Sequence, residues 1–237
     1  GHLNLAQRWR IVLAALRARR AANRRQPAGE PAPPALSESL IASLEPPTGP
    51  LAEASWALAS AAQPDWLNQH ALRTWAWAQA LGVIGDLSFD REPLFAACAF
   101  HDIGLAPIAA TPADHCFALR GARHAARVLR PHGDAVAVRR VADAIARHID
   151  LAVLPSDGVE AHLLHSGAAV DVMGRGLNRL PRPYRDAVLR HHPRLGMKSL
   201  LCQCLRREAA AAPGTRMGLY ARRLGFVELI ERAPFAE

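Results

Sequence analysis

The chain has few cysteines and no long apolar run. No stretch approaches the roughly 20 apolar residues that a membrane-spanning helix requires, so no membrane association is expected. Four cysteines are too few for a disulfide framework in 237 residues. Cys202 and Cys204 are one residue apart on a predicted helix, so their side chains point about 200° apart and are poorly placed to hold one ion. We therefore expect a protein of the reducing cytoplasm.

Lysine is almost absent from the chain. The formal charge of +8 comes nearly all from arginine, because Lys198 is the only lysine. Together with abundant alanine, this bias is what a GC-rich genome produces without selection for binding an anion. The densest arginine cluster, within residues 17–25, has no interleaved aromatic residues and no glycine-rich RNA-binding signature. A solvated basic face is therefore expected, and nucleic-acid binding is not.

The motifs of several common enzyme classes are also missing. Ser166-Gly167 lacks the flanking glycine of a nucleophile elbow. Gly121 follows no predicted strand, and neither does the stretch 174–176, so neither forms a phosphate-binding loop. Cys98 lies in an apolar helix with no suitably placed histidine, which argues against a thiol nucleophile. Any catalytic chemistry has to come from other residues.

The hydrophobic pattern predicts an all-α protein. From Pro64 onward, one amphipathic or apolar helix follows another, with no convincing strand alternation. Glycines stand near most of the expected helix ends. The predicted helices include 65–81, 91–101, 113–130, 134–149 and 158–173, with two or three more towards the C-terminus.

The first 50 residues read as an appended arm. A basic amphipathic helix is predicted over residues 4–25, a Pro/Ala-rich connector over 26–36 and a short helix near 37–45. We therefore divide the chain into an arm, residues 1–50, and a helical domain, residues 51–237. The arm is expected to pack on the domain or on a partner chain, which leaves a homo-oligomer open.

An adjacent histidine and aspartate, His101-Asp102, follow the apolar run 93–100. His70 lies upstream on one predicted helix and Asp171 downstream on another. Two imidazoles and two carboxylates suit zinc, iron or manganese and balance the charge of a divalent ion. Ordinary alternatives exist, since His70 fits a core or capping role and Asp171 a helix-end role. A buried aspartate between two valines needs a partner, however, so we predict a metal centre formed by all four residues.

The order of these residues resembles the HD-domain superfamily of metal-dependent hydrolases. Within it, the sequence is most similar to the cyanamide hydratase-type branch. The resemblance covers roughly residues 60–237. It rests on 94–105 with its His-Asp-Ile-Gly motif, on 117–122, 144–148 and 170–174, on 192–194 with Lys198, and on 233–235.

The resemblance implies an HD-type helical bundle and a specific chemistry. In that chemistry, a metal-bound hydroxide attacks the electrophilic carbon of a small cyanamide- or nitrile-like substrate. His148 is then the catalytic residue that binds substrate or moves protons. Aromatic side chains are candidate walls of a small pocket, with a plain core role as their alternative: Trp75, Trp77, Phe100 and Phe117.

The resemblance also bears on the number of ions. Many dinuclear HD enzymes carry a histidine where this chain has Phe117, and His124 lies about 10 Å further along the helix axis. We expect one divalent ion, zinc first, with iron or manganese as alternatives. Two other enzyme functions remain open: a phosphohydrolase that would use Arg120, Arg123 or Arg147, and a di-iron oxygenase. A non-catalytic regulatory or partner-binding domain remains open as well.

Overall fold

The structure, a computed structural model, describes residues 2–8, 10–13, 34–106 and 115–237. Within these ranges the regular elements are helices and no strand occurs, which confirms the all-α prediction. None of the described helices is both long and apolar enough to span a bilayer. From residue 34 the α-helices are α1 Pro34–Ala42, α2 Pro50–Ala62, α3 Asp65–Ile84, α4 Arg91–Phe100, α5 Phe117–Leu129, α6 Ala135–Arg147, α7 Val159–Met173, α8 Arg182–His191, α9 Met197–Ala211, α10 Arg216–Arg223 and α11 Phe226–Glu231.

The predicted helices correspond to observed ones, with shifted ends. Helix α3 runs three residues beyond the predicted end at 81, and α5 begins at Phe117 rather than near 113. Helix α1 begins earlier than predicted and ends at Ala42. Of the predicted N-terminal helix, residues 5–8 and 10–13 are helical, and the remainder lies outside the described residues.

Two apolar clusters form the core, and the polar site lies where they meet. The first cluster surrounds Trp75 of α3 and includes Val170 of α7. The second joins the start of α5 to α9, α10 and α11, and it includes Phe117 and Val172. Asp171 therefore stands between a residue of one cluster and a residue of the other, and it is fully buried.

The described part of the arm packs on the domain. Leu40 and Leu44 are buried in the first apolar cluster. The indole Nε1 of Trp75 donates to the Leu44 carbonyl at 3.3 Å, and Gln79 Nε2 donates to the Ser43 carbonyl at 2.6 Å. Leu40 and Leu44 thus contribute to the core on which the site is built.

A close helix contact aligns two of the predicted site residues. Helices α3 and α7 are antiparallel, and a Cβ atom at Gly167 would lie 2.6 Å from the backbone oxygen of Thr74. One turn onward in α7 comes Asp171, and one turn back in α3 comes His70. Because the helices run in opposite directions, these two residues face each other, and glycine at 167 sets their separation.

We predict that Gly167→Ala destabilises the protein by about 1–3 kcal/mol, because the new methyl group must push α3 and α7 apart. Gly121→Ala is the matched control, since Gly121 is also a buried helical glycine but its Cβ would meet no atom closer than 3.4 Å. There the better helix propensity of alanine makes the change neutral or stabilising by up to about 1 kcal/mol. Chemical denaturation measures both. Equal effects of the two substitutions would contradict the close contact.

Candidate metal centre

The His101-Asp102 pair lies where α4 ends. His101 still has helical backbone angles, and Asp102 leads into a short 3₁₀ turn, Ile103–Leu105. This turn packs directly on the first residue of α5, because a Cβ at Gly104 would lie 2.1 Å from the Phe117 carbonyl oxygen. Only glycine fits at position 104, and this contact holds the end of α4 against the start of α5.

Three of the four predicted ligands converge. The Nε2 atoms of His70 and His101 are 3.0 Å apart. Asp102 Oδ2 lies 3.4 Å from His70 Nε2 and 3.5 Å from His101 Nε2. All three side chains are buried, and their ligand atoms lie within 4.8 Å of one another. Two nitrogens and one oxygen therefore point at a common centre.

The hydrogen bonds on the far sides of the rings fix the imidazole tautomers. His101 Nδ1 donates to the Cys98 carbonyl at 2.8 Å, and His70 Nδ1 donates to Asp171 Oδ2 at 2.7 Å. In neutral rings, both Nε2 atoms then present lone pairs to each other at 3.0 Å. This contact is repulsive unless a cation, either a proton or a metal ion, lies between them. The donor set thus fits a divalent transition metal.

The pKa values of the two buried histidines shift in opposite directions. Burial lowers the pKa of His101 to about 4, so this ring is neutral at physiological pH. Burial also opposes charge on His70, but its bonds to Asp102 and Asp171 outweigh that effect and raise its pKa. Of the two rings, His70 is therefore the one on which the neighbouring carboxylates favour a proton, and metal binding would displace that proton.

Asp171 lies on the opposite side of His70 from His101 and Asp102. Both its oxygens accept from Arg73, at 2.8 Å from Nε and 3.0 Å from Nη2, and Oδ1 also accepts from Trp77 Nε1 at 2.9 Å. Burial alone would raise the pKa of Asp171, but the Arg73 guanidinium and His70 hold it well below its usual range. As placed, Asp171 orients His70. Its role as a direct metal ligand stays a prediction.

His148 borders the group. It directly follows α6, its Nδ1 donates to the Ile145 carbonyl, and its Nε2 lies 3.3 Å from Asp102 Oδ1. The ring stands edge-on to His101, with centroids 5.1 Å apart, and against Phe117 at 5.6 Å. His148 is thus close enough to act on a molecule bound at the centre, while Asp102 and Ile145 fix its ring.

Comparison with known proteins bears on this geometry. Residues 68–213 match the family model described as HD domain, a range that contains every residue of the centre. The chain belongs to the HD-domain family. HD domains are typically metal-dependent hydrolases, which agrees with the convergent His-His-Asp group. A search of curated proteins found no match to the chain.

The aromatic residues predicted to line a pocket differ in position. Phe117 touches His148, and Trp77 donates to Asp171, so both contact residues of the HD site. Trp75 packs edge-on to Phe95 in the first apolar cluster and is a core residue. Phe100 is fully buried in that same cluster.

Of the three arginines considered for phosphate binding, one is paired with a carboxylate and two are exposed to solvent. Arg120 pairs with Glu208 at 2.7 Å and also donates to the Gly104 carbonyl. Glu208 in turn accepts from the backbone N–H of Phe117 at 2.9 Å. Arg123 and Arg147 are exposed on α5 and α6. Arg120 therefore supports the start of α5.

Asp171 is contacted by two arginines that were not among the predicted site residues. Arg73 forms the bidentate pair, and Arg194 donates to the Asp171 backbone oxygen at 3.2 Å. Arg73 carried a usable signal, since it lies three residues after His70 and therefore on the same helix face. Arg194 lies in the stretch 192–194 that carries part of the family resemblance, but no spacing pattern linked it to Asp171.

We predict that His101→Ala and Asp102→Ala each abolish metal binding, because each removes one of the three ligand atoms that converge among the described residues. Elemental mass spectrometry should find about one ion per chain in the wild type, as for a mononuclear site, and almost none in either variant. His124→Ala is the control, since this partly buried histidine of α5 lies outside the group. A full metal complement in either site variant would show that the centre is misassigned.

Proposed function

We propose that this HD-domain protein is a metal-dependent hydratase or hydrolase that adds water to the electrophilic carbon of a small, uncharged, cyanamide- or nitrile-like substrate. The observation that carries the proposal is the pairing of the arginines near the centre with carboxylates. Among the described residues, the three buried or partly buried arginines that contact Asp171 or the turn after Asp102 are each paired with a carboxylate: Arg73, Arg120 and Arg194. The substrate therefore has to be recognised without a free cation from them.

The charge pattern disfavours a phosphomonoester. Such a substrate needs basic side chains that neutralise its oxygens during the reaction. Arg73, Arg120 and Arg194 pair with Asp171, Glu208 and Glu237 respectively. Residues 107–114, which follow the His-Asp turn in the sequence, contain neither lysine nor arginine. An uncharged substrate requires none of these cations.

The side chains of the centre are also almost fully buried. The side chains of Asp102 and His148 are 7% and 4% exposed, and His101 is 2% exposed. Phe117 covers the ring of His148 on one side. A short substrate with an electrophilic carbon meets these limits better than a nucleotide does.

The residues present divide the work of hydration. A bound divalent ion supplies Lewis acidity and lowers the pKa of a water molecule. His70, His101 and Asp102 would hold that ion. When water adds to a nitrile carbon, a C–O bond forms, one C–N π bond breaks, and a proton moves from the oxygen to the nitrogen. His148 would move that proton through Nε2, because its Nδ1 is committed to the Ile145 carbonyl.

One ion rather than two is the proposed complement. The phenyl ring of Phe117 faces His148 at the place where dinuclear relatives would need another imidazole, and it offers no ligand atom. His124 contacts Phe100 and Arg127 instead and is not part of the convergent group. Zinc suits this mixed nitrogen and oxygen set, and iron or manganese would also fit it.

We expect zinc-loaded protein to release urea from cyanamide or amide from small nitriles, with little turnover of p-nitrophenyl phosphate. His148→Ala should keep the metal and lose about 10²- to 10⁴-fold in turnover, because it removes a proton-transfer group but no convergent ligand. His124→Ala is the matched control and should retain both. Turnover of the phosphate ester without any hydration would instead favour the phosphohydrolase. Loss of the metal from His148→Ala would place this residue among the ligands.

A further inference from the structure

The residues after α11 pack against the end of α7 and against Arg194 and Lys198. This C-terminal tail, residues 232–237, packs its Pro234 ring against Gly174, just beyond the end of α7. Lys198 Nζ donates to the carbonyls of Ala233 and Phe235 at 3.1 and 2.9 Å, and the Lys198 backbone N–H donates to Glu237 Oε2 at 2.8 Å. The tail is therefore held in one place along its length.

Arg194 connects the tail to the centre. Its Nε donates to Glu237 Oε1 at 3.0 Å, and its guanidinium carbon lies 4.5 Å from the centre of the Phe235 ring. On its other side, Nη1 donates to the Asp171 backbone oxygen at 3.2 Å and lies 3.5 Å from Asp171 Oδ1. The Arg194 side chain is only 5% exposed, and the tail supplies its contacts with Glu237 and Phe235.

The contact with Asp171 meets a need of the helix end. The last carbonyls of a helix have no intrahelical donor, and Asp171 is two residues from the end of α7. The N–H of Gly174 is directed to the carbonyls of 169 and 170, which leaves the Asp171 carbonyl to Arg194. Arg194 therefore fixes the backbone of the residue whose carboxylate orients His70.

We propose that Glu237 and Phe235 are positioning residues of the metal centre, acting through Arg194 and Asp171 on His70. The chain of contacts is continuous, from Glu237 to Arg194, then to Asp171, and then at 2.7 Å to His70 Nδ1. The charges alternate along it, so the buried guanidinium of Arg194 has a carboxylate on each side. This proposal rests on the proposed metal site and adds a region that supplies no ligand.

Zinc affinity of the full chain tests the proposal, measured by competition with a chromophoric chelator. Loss of an outer-shell partner of a ligating histidine weakens metal binding 10- to 100-fold, so for Glu237→Gln and Phe235→Leu we expect roughly a 10-fold rise in the zinc Kd. Glu231→Gln is the matched control, because Glu231 also pairs with an arginine, Arg206, but at an exposed site. Phe235→Tyr keeps an aromatic face for Arg194, so this variant should retain the zinc affinity of the wild type.

Thermal unfolding of the metal-free variants separates positioning from simple stabilisation. If Glu237→Gln lowers the unfolding temperature but leaves the zinc Kd within twofold of Glu231→Gln, the tail only stabilises the fold and the proposal is wrong. If the wild type binds no zinc in the same assay, the metal site itself fails and the tail proposal fails with it. A selective rise in Kd for Glu237→Gln and Phe235→Leu supports both.

Discussion

The buried carboxylate of Asp171 is the constraint on which the rest of the structure depends. An uncompensated charge in an apolar core is very costly, so the surrounding sequence has to supply partners with good geometry. Arg73, Trp77 and His70 provide them directly, and Arg194 adds a backbone contact. Through these partners the carboxylate joins α3, α7 and the turn before α9. Removing it would leave Arg73 buried without its counter-charge.

Meeting that constraint also shapes the chemistry of the centre. His70 has to present Nε2 to His101 because its Nδ1 is committed to Asp171. The nearby arginines are likewise committed to carboxylates, so the electrostatic character of the site comes from the His-His-Asp group itself. A protein that neutralises its own arginines in this way is suited to an uncharged ligand, and this is the physical basis of the proposed hydratase or hydrolase function.

Much of the fold and part of the site follow from the sequence. Periodicity and glycine punctuation indicate the helices, and an adjacent His-Asp at a helix end needs only one further imidazole nearby to form a convergent group. The partners of Asp171 are harder to predict, because the crossing of α3 and α7 decides which side of His70 the carboxylate occupies. The pairs Arg120–Glu208 and Arg194–Glu237 join residues far apart in the chain. No local pattern marks such pairs before the helices are packed.

The contact between Gly104 and Phe117 has a consequence for how this family can diversify. The Phe117 carbonyl lies against Gly104, and its N–H is bound by Glu208, so the backbone at 117 is held independently of its side chain. A different side chain at this position would emerge from the same point and towards the same neighbour, His148. The position of the backbone at 117 therefore does not depend on the side chain there. A substitution at 117 by a residue with a donor atom would present that atom to His148 without rebuilding the bundle. In the proposed metal centre, position 117 is therefore the place at which a further ligand would be introduced.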